Sequence, residues 1–514
     1  MQKKWLSLLV VPVVALTAMS LLSAGAPQRD GARLLDQVMA RLQREAIDSI
    51  SQDEIYERAA RGLVRQIDDP YAALFSPEEL ARFSRESLGN SYGGVGLLIE
   101  DQDGLIVVTK VFANTPGEQA GIVSGDRILE VNGEAVKGFK LDQVSRRLLG
   151  VPGTPVALTL SREGVPKPLE YQLVRATVHV PSVPIAIVLD GDIGYVSLQR
   201  FNDVASEELG RAVTRLLNQG ARGLVLDLRG NPGGDVEQSV RVTNLFLPPG
   251  QDVVTVKYRS RPADERRTAA VPVAPDIPLV VLTDSNTASA AEIVAGALQD
   301  HDRAVLLGTT SYGKGVVQTL YPLDGGWMLK LTNAKWYTPS GRSIQREHAP
   351  KNDSLPPADT TRPAFRSDNG RVILGGGGIV PDVVVGADTL TSVEQAVQHS
   401  LSAKARESNT ALAQMTKELK PKVHYDFTVQ PAWRDTLYQR LARSGVEVSR
   451  AQFDSSRALI DRLIEQRLSR AAFGDSAAFR RWAPEDPQLH KAVELLGGAH
   501  SQQDLLAVVV KEEG

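Results

Sequence analysis

Two apolar runs constrain the fold of this chain most. Residues 223–228 (GLVLDL) and 278–283 (PLVVLT) are short and mostly apolar, and they lack the apolar–polar alternation of a half-exposed strand. They read as strands buried on both faces. The first leads through Arg229, Gly230, Asn231, Pro232, Gly233 and Gly234 into a helix ending near 247. The second leads into a helix over about 288–300. From about 176 strand and helix alternate, which predicts an α/β core. A chain of 514 residues is too long for one hydrophobic core, so about two to four domains are expected.

The segments around this core read differently. Lys3 and Lys4 precede an apolar run from Trp5 to about Leu22, followed by Ala24, Gly25 and Ala26. This is the pattern of a signal peptide over 1–26. An uncleaved membrane anchor is the alternative, since the run is about long enough to span a bilayer. Residues 27–88 read as helical. Ser51 with Glu54, and Ser76 with Glu79 around Pro77, are capping-box patterns, and Asp69-Pro70-Tyr71 supplies a turn between them.

At 89–165 a glycine loop, Gly93-Gly94-Val95-Gly96, runs into apolar Leu97, Leu98 and Ile99. Strands at 105–108 and 126–133, a helix over about 140–149 and a strand at 155–161 follow. This succession resembles a PDZ domain. The resemblance implies peptide capture: amides of Gly94, Val95, Gly96 and Leu97 take a terminal carboxylate, and the following strand pairs with the peptide. Residues 350–370, rich in proline, aspartate and serine, read as a loop. Beyond 388 helical spacing returns, as in Val393, Ala396, Val397 and Leu401, and in Leu459, Leu463 and Leu468. Dimerisation, binding of a regulatory protein and simple packing all remain open for this segment.

The chemistry lies in two short stretches. Thr287-Ala288-Ser289-Ala290-Ala291-Glu292 places a serine among small residues at a strand-to-helix junction. Gly313-Lys314-Gly315-Val316-Val317-Gln318 places a lysine between two glycines, with a glutamine four residues on. A serine hydroxyl is a weak nucleophile until a base takes its proton. Lysine serves as that base only when neutral, and burial among residues such as Val316, Val317 and Leu320 lowers its pKa. Residues 315–321 read as a strand, on which Gln318 can orient the amine without adding charge. The Ala290 amide, at a helix N-terminus, is a candidate oxyanion donor.

These stretches resemble the carboxyl-terminal processing peptidases, serine proteases with a Ser-Lys pair. Tyr337-Thr338-Pro339-Ser340-Gly341-Arg342 and Gly378-Ile379-Val380-Pro381-Asp382 fit the same pattern in the same order. The resemblance covers about 85–385. It implies Ser289 as nucleophile, Lys314 as base, Gln318 as its orienting partner, and a second oxyanion donor at Gly233 or Gly234. Thr287 and Ala291 stand where the family usually carries two further serines. The expected architecture is thus an α/β multidomain chain. It comprises an α/β serine-protease core over 166–387 with an inserted PDZ-like domain, a helical N-terminal segment and a helical C-terminal extension over 388–514. The expected location is outside the cytoplasm, in the periplasm. No metal or organic cofactor is implied, and the expected partner is a polypeptide held by its C-terminus.

Other readings fit less well. Cysteine is absent, which removes thiol nucleophiles, cysteine metal sites and disulfides. With 58 basic against 61 acidic residues, charge makes no case for nucleic acid. Gly308 to Lys314 approximates a phosphate-binding loop, but Gly315 replaces its Ser or Thr and a strand follows. Gly89 to Gly93 fits a nucleophile-elbow pattern, yet Ser91 precedes a strand and not a helix. His301, the histidine nearest Ser289, lies toward the far end of the helix and completes no triad. The competing class is a non-catalytic PDZ-bearing adaptor on a protease fold.

Overall fold

The structure, a computed structural model, describes residues 26–84, 89–102, 104–112, 114–162, 165–346, 362–386 and 390–512. The signal-peptide pattern lies outside them, apart from Ala26. The chain divides into two compact units. One is the described chain up to Leu80 with Gln318–Asn333, and the other is Ala81–Val317 with Ala334–Gly514.

The larger unit is built on a six-stranded sheet. Its order is Ile185–Leu189, Ile193–Ser197, Gly223–Asp227, Leu279–Thr283, Val305–Gly308 and Val383–Val384. The first pair is antiparallel and the others are parallel. Side chains alternate across the sheet. Leu224, Leu226, Leu279 and Val281 face one core; Val225, Val280 and Leu282 face another. Burial on both faces explains the unbroken apolar runs.

Strands from Ile193 to Val305 add in chain order, and right-handed crossovers then put their helices on one face. Helices Ala205–Asn218, Val236–Thr243 and Ala290–Asp300 all pack there. The other face is covered from far along the chain. Phe479, Leu489, Ala492, Leu495, Leu496, Leu505 and Val509 close it, from helices Asp475–Trp482, Pro487–Gly497 and Gln502–Glu512. The segment beyond 388 therefore has two parts. Helices between Ser392 and Phe473 form their own core around Val397, Leu412, Met415, Leu437, Phe453 and Ile460, whereas the last three helices complete the six-stranded sheet.

The PDZ-like region is a second sheet in the order Leu97–Gln102, Leu105–Val111, Arg127–Val131, Pro155–Ser161 and Leu169–Val174, with helix Leu141–Leu148 beside it. It extends past 165, because Leu169–Val174 belongs to its sheet and Ala176–His179 pairs with Ser91–Gly94. Ser91 opens that strand, so no nucleophile elbow exists there. Part of the expected loop over 350–370 is instead a hairpin of Ala364–Arg366 and Val372–Leu374.

In the smaller unit Ser51 caps helix Gln52–Arg65 through the Glu54 amide, and Ser76 and Glu79 cap each other reciprocally. Ala73–Phe75 pairs with Met328 to Lys330. Among the described residues no helix is long and apolar enough to cross a membrane.

Candidate active site

Ser289 follows strand Leu279–Thr283 through a turn organised by Asp284. One carboxylate oxygen of Asp284 accepts the amides of Asn286 and Thr287, at 3.0 and 2.9 Å, and also that of Gly230 at 2.9 Å. The Thr287 hydroxyl donates to the Leu228 carbonyl at 2.9 Å, and the Ala288 amide to the Asn231 carbonyl at 2.9 Å. Thr287 thus joins the ends of two neighbouring strands, and it is fully buried. The turn delivers Ser289 in a sparsely populated conformation, φ 55° and ψ −117°. Such a backbone costs about 1–3 kcal/mol and persists only where neighbours fix it. The serine hydroxyl makes no helix-capping bond, although Ser289 occupies the cap position of helix Ala290–Asp300.

Glu292 supplies much of that fixation. Its carboxylate is fully buried and accepts four hydrogen bonds. One oxygen takes the Ser311 hydroxyl at 2.5 Å and the Gly313 amide at 2.7 Å. The other takes the Ser289 amide at 2.8 Å and the Lys314 amide at 2.9 Å. The main chains of the serine and the lysine therefore meet on a single oxygen atom. Burial pushes the Glu292 pKa up, and the four donors oppose that rise. The sequence motif contains Glu292 but does not by itself assign it this role. The signal was present: a glutamate three residues beyond a cap serine is half of a capping box.

Lys314 is only partly buried, short of the burial expected from its apolar neighbours. Its carbonyl accepts the indole N–H of the buried Trp336 at 3.0 Å. Gly315 must be glycine because a Cβ there would come within 2.8 Å of the Gln345 main-chain nitrogen. Strand Val316–Pro322 follows, where a phosphate-binding loop would open a helix. Gln318 belongs to the smaller unit. Its amide nitrogen donates to the Thr332 hydroxyl at 3.2 Å, and that hydroxyl donates to Asp69 at 3.1 Å. The relay fixes which way the Gln318 amide points and leaves its oxygen as the group able to accept from an ammonium.

The loop 229–234 lies against the serine. A Cβ on Gly233 would stand 2.8 Å from the Ser289 Cβ and 2.9 Å from the Ala290 nitrogen. The Gly233 amide is already taken by the Asn231 side chain at 2.8 Å. Among the described residues, no acceptor takes the amides of Gly234 and Ala290. The loop is held from below by Asp227, which accepts the Tyr195 hydroxyl at 2.7 Å and the Arg229 guanidinium at 2.6 Å. His301 ends the helix and is engaged elsewhere, with Asp368 at 2.7 Å and the Asp252 carbonyl at 2.8 Å. No group of His, Asp and Glu suited to a metal ion occurs among the described residues.

In the PDZ-like unit Val95 and Leu97 are buried in its core. The Val95 carbonyl accepts the Gly117 amide at 2.8 Å, and Gly96 sits at φ 79° against Thr115. Among the described residues, strand Leu97–Gln102 is at the edge of its sheet and pairs with Leu105–Val111 alone.

The sequence profile of peptidase family S41 matches residues 192–352, and that of the PDZ domain matches residues 107–162. The carboxy-terminal processing protease CtpA of Bacillus subtilis is 36% identical over 300 residues, which cover 57% of this chain and 62% of that protein. The chain thus spans less than two thirds of that relative. The carboxy-terminal-processing protease of Bartonella bacilliformis is 36% identical over 313 residues, covering 60% of this chain and 71% of that protein. Among solved structures, the photosystem II D1 C-terminal processing protease aligns with 30% identity and a TM-score of 0.39, over 68% of this chain and 85% of that one.

Proposed function

The chain belongs to peptidase family S41, among the PDZ-bearing carboxy-terminal processing proteases, and from that premise we propose that it cleaves polypeptides with Ser289 as nucleophile and Lys314 as general base. The observation that carries this reading is the single Glu292 oxygen that accepts both main-chain amides. In this mechanism the neutral Lys314 amine takes the hydroxyl proton as Ser289 Oγ attacks the scissile carbonyl. The amides of Ala290 and Gly234 receive the oxyanion, and loss of one such donor typically costs about 3 kcal/mol in the barrier. The protonated Lys314 returns its proton to the leaving amine, giving an acyl-enzyme that water hydrolyses. Gln318 is assigned as the orienting partner of that amine on its place four residues beyond Lys314 in the sequence.

Substrates are captured by their C-termini on the edge strand Leu97–Gln102 and the glycine loop before it. The place of that strand at the edge of its sheet among the described residues supports this mode of recognition. The protein acts outside the cytoplasm, in the periplasm. The lysines at 3 and 4 and the apolar run behind them support export, either with cleavage of 1–26 or as an uncleaved membrane anchor. A homo-oligomer or a regulatory protein bound through residues 392–473 fits that separate helical core. The purified protein is expected to digest casein, and Ser289→Ala is expected to abolish digestion while staying folded. A folded wild type with no turnover favours the adaptor reading; an active Ser289→Ala removes the nucleophile assignment.

A further inference from the structure

The family profile ends at 352, yet two buried partners of the 229–234 loop, Asp486 and Gln488, lie far beyond it. Arg229 opens that loop. Its guanidinium forks onto Asp227 at 2.6 to 3.1 Å on one side. On the other, Nη1 donates to Gln488 Oε1 at 2.9 Å and forms an ion pair with Asp486 Oδ2 at 2.7 Å. Asp486 and Gln488 are each 3% exposed. Burial works against the charge on Arg229, but Asp227 and Asp486 outweigh it and hold its pKa above the ordinary arginine value.

Each distal residue is itself anchored. Asp486 caps helix Pro487–Gly497, its Oδ1 accepting the amides of Gln488 and Leu489 at 3.0 and 3.2 Å. Gln488 donates through Nε2 to the Val385 carbonyl at 2.8 Å. The helix packs against the sheet through Leu489, Ala492, Leu495 and Leu496. A rigid post thus ends at the guanidinium of Arg229. From there the chain runs to Gly230, tied to Asp284, and to Asn231, which accepts the Ala288 amide and holds the Gly233 amide.

We propose that Asp486 and Gln488 are positioning residues for catalysis: through Arg229 they fix the 229–234 loop against Ser289. The inference rests on the assignment of Ser289 and of this loop as the oxyanion side. Neither residue touches substrate, so their effect falls on the chemical step and not on substrate capture. A displacement of about 1 Å at a reacting centre can cost on the order of 100-fold.

The test uses the full chain. Asp486→Asn keeps the capping oxygen and removes the charge. Gln488→Met keeps the bulk and removes both hydrogen bonds. Val493→Ala, on the same helix and packed on the same sheet face, controls for loss of helix packing. Below the melting range, Asp486→Asn and Gln488→Met are expected to lower kcat about 10- to 100-fold with KM for a peptide within about twofold. The rise of activity with pH should keep its midpoint. Val493→Ala should lower Tm with kcat unchanged. In an Arg229→Gln background, Asp486→Asn should lower kcat no further, because the post then has nothing to hold. Wild-type kcat in both folded variants, or a loss that tracks the folded fraction as in Val493→Ala, overturns the inference. Ser289→Ala measured alongside separates the two claims. Activity there overturns the nucleophile and this inference with it. An inactive Ser289→Ala beside a fully active Asp486→Asn overturns only the positioning role.

Discussion

Glu292 is the residue on which the proposed site turns, because its carboxylate accepts from the main chains of both Ser289 and Lys314. Glu292→Gln is nearly isosteric, but an amide has one accepting oxygen where the carboxylate has two. One pair of donors, either Ser311 and Gly313 or Ser289 and Lys314, then faces an NH2 group. A stranded buried donor costs about 1–3 kcal/mol. Glu292→Gln is therefore expected to melt lower and to lose most of its reactivity toward a small serine-directed probe; wild-type reactivity in a folded variant contradicts the clamp. Lys314 makes a separate prediction. In the proposed mechanism its neutral form is the base, so activity should rise as pH rises through the pKa of the amine. Lys314→Arg should be inactive, since guanidinium stays protonated. A flat pH–rate profile across the neutral and mildly alkaline range, or an active Lys314→Arg, removes Lys314 as the base.

Among the elements, the edge strand Leu97–Gln102 is the proposed reader of substrate C-termini. A free carboxylate can satisfy loop amides with charge-assisted bonds, and an amidated terminus cannot do so as well. One peptide in free-acid and amide forms, with identical internal sites, should be cut with a lower kcat/KM as the amide. Equal cleavage means that the module does not read C-termini. The elements themselves were legible where local chemistry dictates them. The helix over Leu141–Leu148 and the strand Pro155–Ser161 fall at the expected places, and the capping serines 51 and 76 cap as expected. The site was partly legible: the serine turn, the lysine loop and the glycine loop all stood out as motifs. Asp69 and Thr332 behind Gln318, and Asp486 behind Arg229, did not. Asp69 and Asp486 act on partners more than 200 residues away, and nothing local distinguishes them from a turn residue and a helix cap; Thr332 reads locally as an ordinary strand residue. Helix Pro487–Gly497 was similarly opaque, because its apolar spacing is the same whatever surface it meets.

For the whole molecule, the chief constraint is the bare face left by same-side crossovers. Deleting residues from 475 onward uncovers Ile187, Tyr195, Val225, Val280, Leu282 and Leu307 together. Each such side chain contributes about 1.5–3 kcal/mol when buried. The truncated chain is expected to be insoluble or to unfold below physiological temperature, although residues 192–352 remain intact. A soluble truncation with wild-type Tm contradicts this. Deleting only the helical core between 392 and 473, with a linker in its place, should be far milder, since its apolar side chains pack on one another.

The covered face also bears on time. A ribosome has delivered Ser289, Lys314 and the glycine loop long before it reaches Asp475. Until the last three helices arrive, the nascent sheet has one side open to solvent, and Arg229 has Asp227 but neither Asp486 nor Gln488. With the positioning role proposed for those two residues, the order of residues along the chain acts as a timer: the blade is forged early and receives its handle last.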